Sequence, residues 1–581
     1  MANTLLDLFE KNPQLLEWRD KVTLLSRQLV MGFSGSSKAV VMASALSEQV
    51  PKILIVTSTQ NEAEQLTGDL SAILGEDKVY SFFADDVVAA EFIFASPEKT
   101  HSRLESLNFL IDKESSGILV TSLVGTKLHL PNPEVYKDSR IDLTLGEEHD
   151  LEALSKHLTH IGYQRVEQVL SPGEFSRRGD ILDIYELTAE LPYRLEFFGD
   201  EIDGIRQFDS DSQKSLDNLE HVIVSPADDI ILTREDYQRA EKALESAVSK
   251  AEGPHKAYLE EVLSVTIDGY RHKDLRKFLS LFYDKAYTLF DYLPKGTPVF
   301  IDDFQKIVDR HGRLELEVAN LLTEDLHQGK SLSHLNYLVD SFKTLRNYQP
   351  ASFFSNFHKG LGNLKFDKLY QFTQYPMQEF FNQFPLLVDE IHRYTKNKAT
   401  VILQVGSEKQ LKSLKETLEE YDLDLPLSSF GDLIPHKPQL VLGNLSNGFY
   451  FADEKLVLVT EREIFHKKVK RRARASHVSN AERLKDYNEL EKGDYVVHQT
   501  HGIGQFKGIE TIEIKGVHRD YLTIQYQDAA TISLPVEQIE SLSKYVSADG
   551  KEPKINKLND GRFQKTKQKV SKQVEDIADD L

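Results

Sequence analysis

Cysteine is absent from this chain of 581 residues. Its absence excludes disulfides, thiolate zinc sites, iron–sulfur clusters and cysteine nucleophiles, and it is typical of a reducing compartment. No run of 18 apolar residues is present, so the sequence predicts no membrane span. The first eleven residues carry charges where a signal peptide needs an apolar stretch. We therefore expect a cytoplasmic protein without a membrane partner.

Positive charge is in deficit, with 70 basic against 92 acidic residues and a net charge of −22. A surface this acidic is not expected to coat nucleic acid, so any DNA contact must be local. The one strongly basic stretch is 467–474, with six cations in eight residues. Like charges repel and keep such a run extended, which favours a solvated linker between domains. Weak contact with DNA phosphates is the alternative.

Periodicity divides the chain into several domains, as its length requires. Buried strands are expected at 52–57 and 117–121, with a helix over 60–74 between them. A further strand is expected at 298–303, where the chain returns to the same sheet after the insertion. The fold class is multidomain α/β: a degenerate nucleotide-binding-like α/β domain with an α+β insertion, a second small α/β domain and a C-terminal SH3-like β-barrel. The predicted segments are 1–140 and 227–369 (the two parts of the first domain), 141–226 (the insertion), 370–462 (the second α/β domain), 463–489 (the basic linker), 490–558 (the barrel) and 559–581 (a closing helix at which the chain looks cut).

A segment that begins at Gly32, between two helix-like segments, nearly matches the phosphate-loop pattern G-x4-G-K-[S/T]. Ser37 stands where a glycine would let backbone amides wrap a phosphate, and Ala39 stands where a hydroxyl would hold magnesium. Lys38 alone cannot replace the metal ion. We expect a degenerate loop without ATPase activity, and we expect the matching acidic residues 302–303 to be only a capped strand end.

The insertion contains a candidate protein-binding face. By alternation along the strand 193–198, Arg194, Glu196 and Phe198 share one face, and the apolar residues between them share the other, which is expected in the core. An exposed phenylalanine beside an arginine is typical of a hot spot for a protein partner. The alternative is a surface strand with an incidental aromatic residue.

The insertion closely resembles the UvrA-binding domain of nucleotide-excision-repair proteins. The motif that begins Gly173-Glu-Phe-Ser-Arg-Arg-Gly-Asp and the motif Phe197-Phe-Gly-Asp-Glu-Ile occur in UvrB and in the bacterial transcription-repair coupling factors (Mfd). UvrB has an intact phosphate loop and a tyrosine-rich hairpin, whereas the loop here is broken and the segment after Tyr80 is not tyrosine-rich. The stretch from Gly493-Asp-Tyr-Val-Val-His to Leu534-Pro-Val is similar to the polymerase-interacting domain of the coupling factors, which UvrB lacks. The resemblance to the N-terminal part of these factors spans essentially the whole chain.

This resemblance implies an adaptor for transcription-coupled DNA repair. Coupling factors recognise RNA polymerase stalled at DNA damage, displace it with a C-terminal ATP-driven DNA translocase, and recruit UvrA. The chain would stop where the motor begins, so the resemblance implies no catalytic residue, metal or cofactor here, with ATP and magnesium, and most DNA contact, confined to the missing motor. In this family a C-terminal domain masks the UvrA-binding face. We therefore expect constitutive UvrA binding by this chain.

By the same resemblance, Arg178, Arg194 and Phe198 are the expected UvrA contacts. The planar arginine fork suits bidentate contacts with carboxylates, and Phe198 would supply desolvated area. The alternative pairs the two arginines with Glu174 or Glu196 in a purely structural role.

The polymerase contact is expected in an exposed strand of the barrel. The family binds the β subunit of RNA polymerase by pairing sheet edges, in which backbone hydrogen bonds give affinity and alternate side chains give specificity. The implied residues are Thr511, Ile512, Glu513 and Ile514, with Ile512 as the central apolar contact. The alternative places Ile512 in the barrel core. Two other functions stay open: a UvrB-like damage-recognition protein with weak ATPase activity, and a polymerase-binding transcription regulator.

Overall fold

The computed structural model describes residues 4–7, 12–93, 97–210, 212–355, 361, 363–466, 493–498, 502–514, 517–527, 530–535 and 542–544. The chain divides into two compact units, Met1–Ser476 and His477–Leu581. Across the described ranges, no helix combines the length and the apolar content that a bilayer crossing requires.

A seven-stranded parallel sheet forms the centre of the first unit. Its strands are β1 (Arg27–Met31), β2 (Lys52–Thr57), β3 (Val79–Phe82), β4 (Gly117–Ser122), β13 (Val299–Asp302), β14 (Ala351–Ser355) and β15 (Lys368–Gln371). The strand order is β15-β1-β14-β13-β2-β4-β3, and every neighbouring pair runs parallel. Every residue of β2 and β4 is buried. That burial explains why both strands read as continuous apolar runs in the sequence.

Hydrophobic cores lie on both faces of this sheet. Leu54 and Val56 belong to one core, and Ile53 and Ile55 belong to the other, because successive residues of a strand point to opposite faces. The helices that accompany the sheet are α1 (Pro13–Lys21), α2 (Ser36–Ala43), α3 (Gln60–Leu74), α4 (Val88–Ile93), α5 (Pro97–Ile111), α6 (Pro133–Asp138), α8 (Arg234–Val248), α9 (Gly253–Ile267), α10 (Leu275–Phe282), α11 (Leu289–Tyr292), α12 (Phe304–His327) and α13 (Phe342–Asn347).

The insertion is an antiparallel-rich sheet covered on one face by a helix. Its elements are α7 (Leu151–His160) and the strands β5 (Ile141–Thr144), β6 (Gln164–Arg165), β7 (Glu174–Arg178), β8 (Ile181–Ile184), β9 (Tyr193–Phe198), β10 (Glu201–Phe208), β11 (Ser215–Leu219) and β12 (His221–Val224). Six strands form one sheet in the order β11-β10-β9-β8-β7-β6, and β12 pairs with β5. Leu154 and Leu158 of α7 share a core with Leu182, Leu195 and Phe197 of the sheet. The opposite face of the sheet is therefore the one available to a partner.

A second α/β layer packs on the first. Its elements are β16 (Gln374–Pro376), α14 (Phe384–Lys396), β17 (Thr400–Val405), α15 (Glu408–Glu419), β18 (Leu427–Ser428), β19 (Pro438–Leu442), β20 (Phe449–Phe451), β21 (Leu456–Val459) and α16 (Glu461–Phe465). Its sheet has the order β16-β20-β21-β17-β19-β18. The predicted boundary at residue 370 falls inside β15, which pairs with β1 of the first sheet. Phe33 contacts Phe372 and Phe451, with ring centroids 4.6 and 5.5 Å apart, so the two layers share a core.

The second unit contains a five-stranded antiparallel sheet. Its strands are β22 (Tyr495–His498), β23 (Gly502–Ile514), β24 (Val517–Gln525), β25 (Thr531–Pro535) and β26 (Leu542–Lys544). The order is β25-β24-β23-β22-β26, and the pairing of these strands closes no barrel, so the SH3-like barrel stays a prediction. The basic stretch 467–474 and the predicted closing helix lie outside the described residues.

Candidate functional site

The outward face of the insertion sheet carries charged and aromatic side chains. In β9, Leu195 and Phe197 are buried in the insertion core, whereas Phe198 is 82% exposed. Cross-strand register places Arg194 of β9 beside Asp183 of β8. Directly opposed residues share a face of a sheet. Arg194, Asp183 and Phe198 therefore lie on the side opposite the helix, as the alternation along the strand predicts.

Asp183 lies at the centre of this face, and its side chain is 0% exposed. Its Oδ1 accepts a hydrogen bond from Nε of Arg194 at 2.7 Å. Its Oδ2 accepts from Nη2 of Arg194 at 2.9 Å and from Nη2 of Arg178 at 2.8 Å. A buried carboxylate is tolerated only when it is paired and hydrogen-bonded, and two guanidinium groups meet that requirement here.

Arg194 is held on several sides, and its side chain is only 14% exposed. Its guanidinium carbon lies 4.4 Å from the ring centroid of Phe208. Its Nη1 donates to the backbone oxygen of Gln213 at 3.2 Å. The hydrogen bond with Asp183 raises the pKa of Arg194, so this residue is a permanent cation in the fold.

The predicted structural alternative named the wrong partners for the two arginines. Glu174 accepts hydrogen bonds from the backbone N–H groups of Leu170 and Ser171 instead. Glu196 pairs with Arg206 at 3.2 Å. Both glutamates are occupied by nearer donors, and the buried aspartate of β8 takes the arginines.

The three predicted contact residues therefore differ in accessibility. Phe198 is almost fully exposed, and the Arg178 side chain is 52% exposed. Arg178 donates one hydrogen bond to Asp183, which leaves most of its fork facing outward. Arg194 is adjacent but mostly covered. The accessible part of the face thus combines a cation with a large apolar side chain.

The phosphate-like loop lies between β1 and α2, so the expectation that it follows a helix-like segment is wrong. The sequence does not reveal this strand because its apolar run, 29–31, is short and follows the polar Gln28. The side chain of Gln28 is buried and donates to the backbone oxygen of Lys21. The loop therefore has the strand–loop–helix setting of a phosphate site.

The lysine of this loop is already neutralised. Nζ of Lys38 lies 2.5 Å from Oδ1 of Asp302 at the end of β13. Asp303 caps α12 and accepts from the backbone N–H of Lys306. The expectation that both aspartates are only a capped strand end is therefore wrong for Asp302. The carboxylate of Asp302 already pairs with the Lys38 ammonium group, which would otherwise bind a phosphate.

The cradle of the loop is filled by the chain itself. Oε1 of Gln374 accepts from the backbone N–H of Ser34 at 2.9 Å and from the hydroxyl of Ser37 at 2.7 Å. Gly32 has a φ of +96°, and a Cβ there would lie 2.0 Å from the backbone oxygen of Phe372. A side-chain amide oxygen thus occupies donors of the loop that a phosphate oxygen would need, and the loop contacts the second α/β layer.

Restoring the phosphate-loop pattern is not expected to create a nucleotide site. The double variant Ser37→Gly, Ala39→Ser supplies the missing glycine and hydroxyl, but Gln374 still fills the cradle and Asp302 still binds Lys38. We expect no saturable binding of a fluorescent ATP analogue with magnesium, measured by fluorescence anisotropy. The unaltered chain is the control. Saturable, magnesium-dependent binding by the double variant would contradict the proposed obstruction.

The strands β23 and β24 continue as a two-stranded hairpin beyond the rest of their sheet. β22 pairs with β23 only over Gly502–Gln505, and β25 pairs with β24 only over Tyr521–Gln525. The predicted contact residues Thr511, Ile512, Glu513 and Ile514 pair with residues 517–520 of β24. Among the described strands, none pairs with the other side of 511–514, which is therefore an edge.

The described part of the chain contains no candidate metal site. There, no group of three or more histidine, aspartate or glutamate side chains is arranged to hold a metal ion.

Three family models match separate parts of the chain. The UvrB interaction domain matches residues 141–229, which contain the outward face described above. The MFD D3 domain matches residues 394–464. The CarD-like/TRCF RID domain matches residues 490–546, which contain the hairpin.

Curated relatives match nearly the whole chain. The transcription-repair-coupling factor of Bacillus subtilis is 35% identical over 569 residues, which are 96% of this chain and 48% of that protein. Those of Staphylococcus haemolyticus and Staphylococcus aureus are 32% and 31% identical over 563 residues, which are 95% of this chain and again 48% of each relative. The chain thus spans about half the length of these relatives, and the predicted family resemblance is confirmed.

Proposed function

This chain is a homologue of the transcription-repair-coupling factors and matches their N-terminal portion, and from that premise we propose that it couples transcription to DNA repair by binding two partners. The insertion recruits UvrA, and the hairpin of the second unit binds the β subunit of RNA polymerase. ATP-driven translocation on DNA belongs to parts of the full-length relatives that this chain does not match.

The observation that carries the proposal is the outward face of the insertion. Phe198 is exposed next to a charged row, although a folded domain normally buries so large an apolar side chain. Arg178, on the same face two strands away, keeps N–H donors for a carboxylate of the partner. Arg194 is the third of the predicted contact residues. All three lie within residues 141–229, the range that the UvrB interaction domain matches.

The competing ATPase function receives no support from the loop geometry. Lys38 is bound to Asp302, and Gln374 fills the cradle. A polymerase-binding regulator would share the hairpin but would have no use for the outward face of the insertion. UvrA binding therefore separates the two remaining functions.

Calorimetric titration of purified UvrA into this chain tests the proposal. We expect saturable binding without any additional activating factor. Absence of binding, with the protein shown to be folded by circular dichroism, would contradict the proposed role in DNA repair. Binding of the polymerase β subunit alone would then leave a transcription regulator.

The polymerase contact predicts a large effect at Ile512. Replacement of Ile512 by Asp places a charge on the strand that is expected to pair with the polymerase edge, which should weaken binding by about 2 kcal/mol, or roughly 30-fold. Biolayer interferometry with the isolated β subunit measures the affinity. Lys507→Gln, which changes the charge by the same amount at an exposed position of β23, is the control. Equal affinities for the two variants would refute the contact.

A further inference from the structure

We propose that Asp183 is the positioning residue of the UvrA-binding face: it fixes the guanidinium of Arg178 at the surface and that of Arg194 beneath it. The inference rests on the proposed function of the insertion and assigns separate roles to residues of the same face. Asp183 itself is fully buried, so it can act on a partner only through these two arginines.

The division of roles follows from the hydrogen bonds. An arginine has five N–H donors. The described contacts of Arg194 use four of them, two toward Asp183 and two toward Gln213. Those of Arg178 use one, toward Oδ2 of Asp183. A carboxylate of the partner therefore finds its fork mainly on Arg178, whereas Arg194 serves to neutralise and orient Asp183.

Arg194 is itself fixed by the loop that follows β10. Gln213 has a φ of +59°, and its side-chain Nε2 donates to the backbone oxygens of Val169 and Ser210. Phe208 supplies the ring beneath the guanidinium. The chain of contacts thus runs from the loop through Arg194 and Asp183 to Arg178.

This arrangement lowers the entropic cost of binding. A free arginine on a strand loses rotamer freedom when a partner immobilises it. Arg178 is half exposed, yet its Nη2 already donates at 2.8 Å to Asp183, which is buried and is also bound by Arg194. The fork of Arg178, on the same face as Phe198 and two strands away, is therefore preorganised, and the partner it suits is a protein surface that presents both an acidic side chain and an apolar pocket.

Replacement of Asp183 by Asn tests the assignment because Asn keeps the volume and removes the charge. We expect UvrA affinity to fall about tenfold, measured by calorimetric titration. The matched control is Asp217→Asn, the same change at an exposed position of the edge strand β11, which should leave the affinity unaltered. Asp183→Glu, which restores the carboxylate, is expected to recover part of the loss.

A double-mutant cycle distinguishes positioning from general structural damage. If Asp183 acts through Arg178, the Asp183→Asn change should have little further effect on affinity in an Arg178→Ala background. The nitrogen-15 NMR signal of the Arg194 Nε–H group gives an independent readout. It should be slow to exchange with water in the unaltered chain and fast in Asp183→Asn.

The outcomes separate the inference from the function on which it rests. If the unaltered chain does not bind UvrA, the proposed function and the role of Asp183 both fail. If it binds and Asp183→Asn binds equally well, or if the loss is as large without Arg178, only the positioning role is overturned. Should Asp183→Asn not fold, Arg178→Lys replaces it. That variant keeps the charge at an exposed site and loses the fork, so affinity equal to the unaltered chain would overturn the inference.

Discussion

The double variant Arg178→Ala, Phe198→Ala is expected to lose at least about 100-fold in affinity for UvrA, or roughly 3 kcal/mol. Both side chains are largely exposed in the free chain, and Arg194 still binds both oxygens of Asp183 when Arg178 is removed. The loss is therefore expected mainly in the complex. Arginine and large aromatic residues each contribute about 2 kcal/mol or more at hot spots, and neighbouring residues do not add exactly as independent sites would. Calorimetric titration of UvrA into the variant measures the effect.

A control variant on the same sheet tests whether the loss of affinity is specific to the outward face. Arg165→Ala, Leu216→Ala also removes one arginine and one exposed apolar side chain, but these lie on β6 and β11 at the two edges of the sheet. We expect this variant to bind UvrA as the unaltered chain does. An equal loss in both variants would show that the insertion as a whole is damaged. Unchanged binding by the first variant would place the UvrA contact elsewhere.

The strands of the insertion could be predicted from the sequence, but the partners across them could not. Alternation places Arg194 and Phe198 on one face of β9, and the structure has them there. Alternation within one strand carries no information about register, and register is what brings Asp183 of β8 beside Arg194. Sequence proximity suggested Glu174 and Glu196 instead. The motif Arg-Arg-Gly-Asp-Ile-Leu-Asp contains the correct aspartate three residues beyond the turn, and its place between apolar neighbours was the available signal.

The altered phosphate loop shows a second limit of sequence reasoning. The missing glycine and hydroxyl are visible at Ser37 and Ala39, and they predict a lost nucleotide site. The residue that fills the cradle, Gln374, is 337 positions away along the chain. A contact over that separation depends on how the second layer packs on the first, for which a single sequence gives no periodic signal.

The strongest expected effect on stability lies at Asp229, between the insertion and the body of the first unit. Its Oδ2 accepts from Nη1 of Arg103 at 3.0 Å, and its Oδ1 accepts from Nη2 of Arg276 at 2.5 Å. Asp229 and Arg103 are both buried. Replacement of Asp229 by Asn removes the buried carboxylate that both guanidinium groups bind, which is expected to cost about 3–5 kcal/mol of unfolding free energy.

The only tryptophan of the chain provides the measurement. Trp18 is buried against Phe300 and Phe354 and donates to Ser352 at 3.0 Å, so its fluorescence reports unfolding of the central sheet in urea. Asp217→Asn, at an exposed position of β11, is the matched control and should change stability by less than about 0.5 kcal/mol. A urea midpoint for Asp229→Asn equal to that of the control would contradict the prediction.

Acid should remove this contribution of Asp229. Burial by itself raises the pKa of Asp229, but the positive charges of Arg276 and Arg103 outweigh burial and hold the pKa well below its usual range. A carboxyl whose pKa is lower in the folded state stabilises the fold above its unfolded pKa of about 4, and that stabilisation is lost as the pH falls toward the folded value. The difference in unfolding free energy between the unaltered chain and Asp229→Asn should therefore be full at pH 7 and should shrink below about pH 4. A difference that stays constant down to the acid transition would mean that Asp229 stabilises the junction by packing and not by its charge.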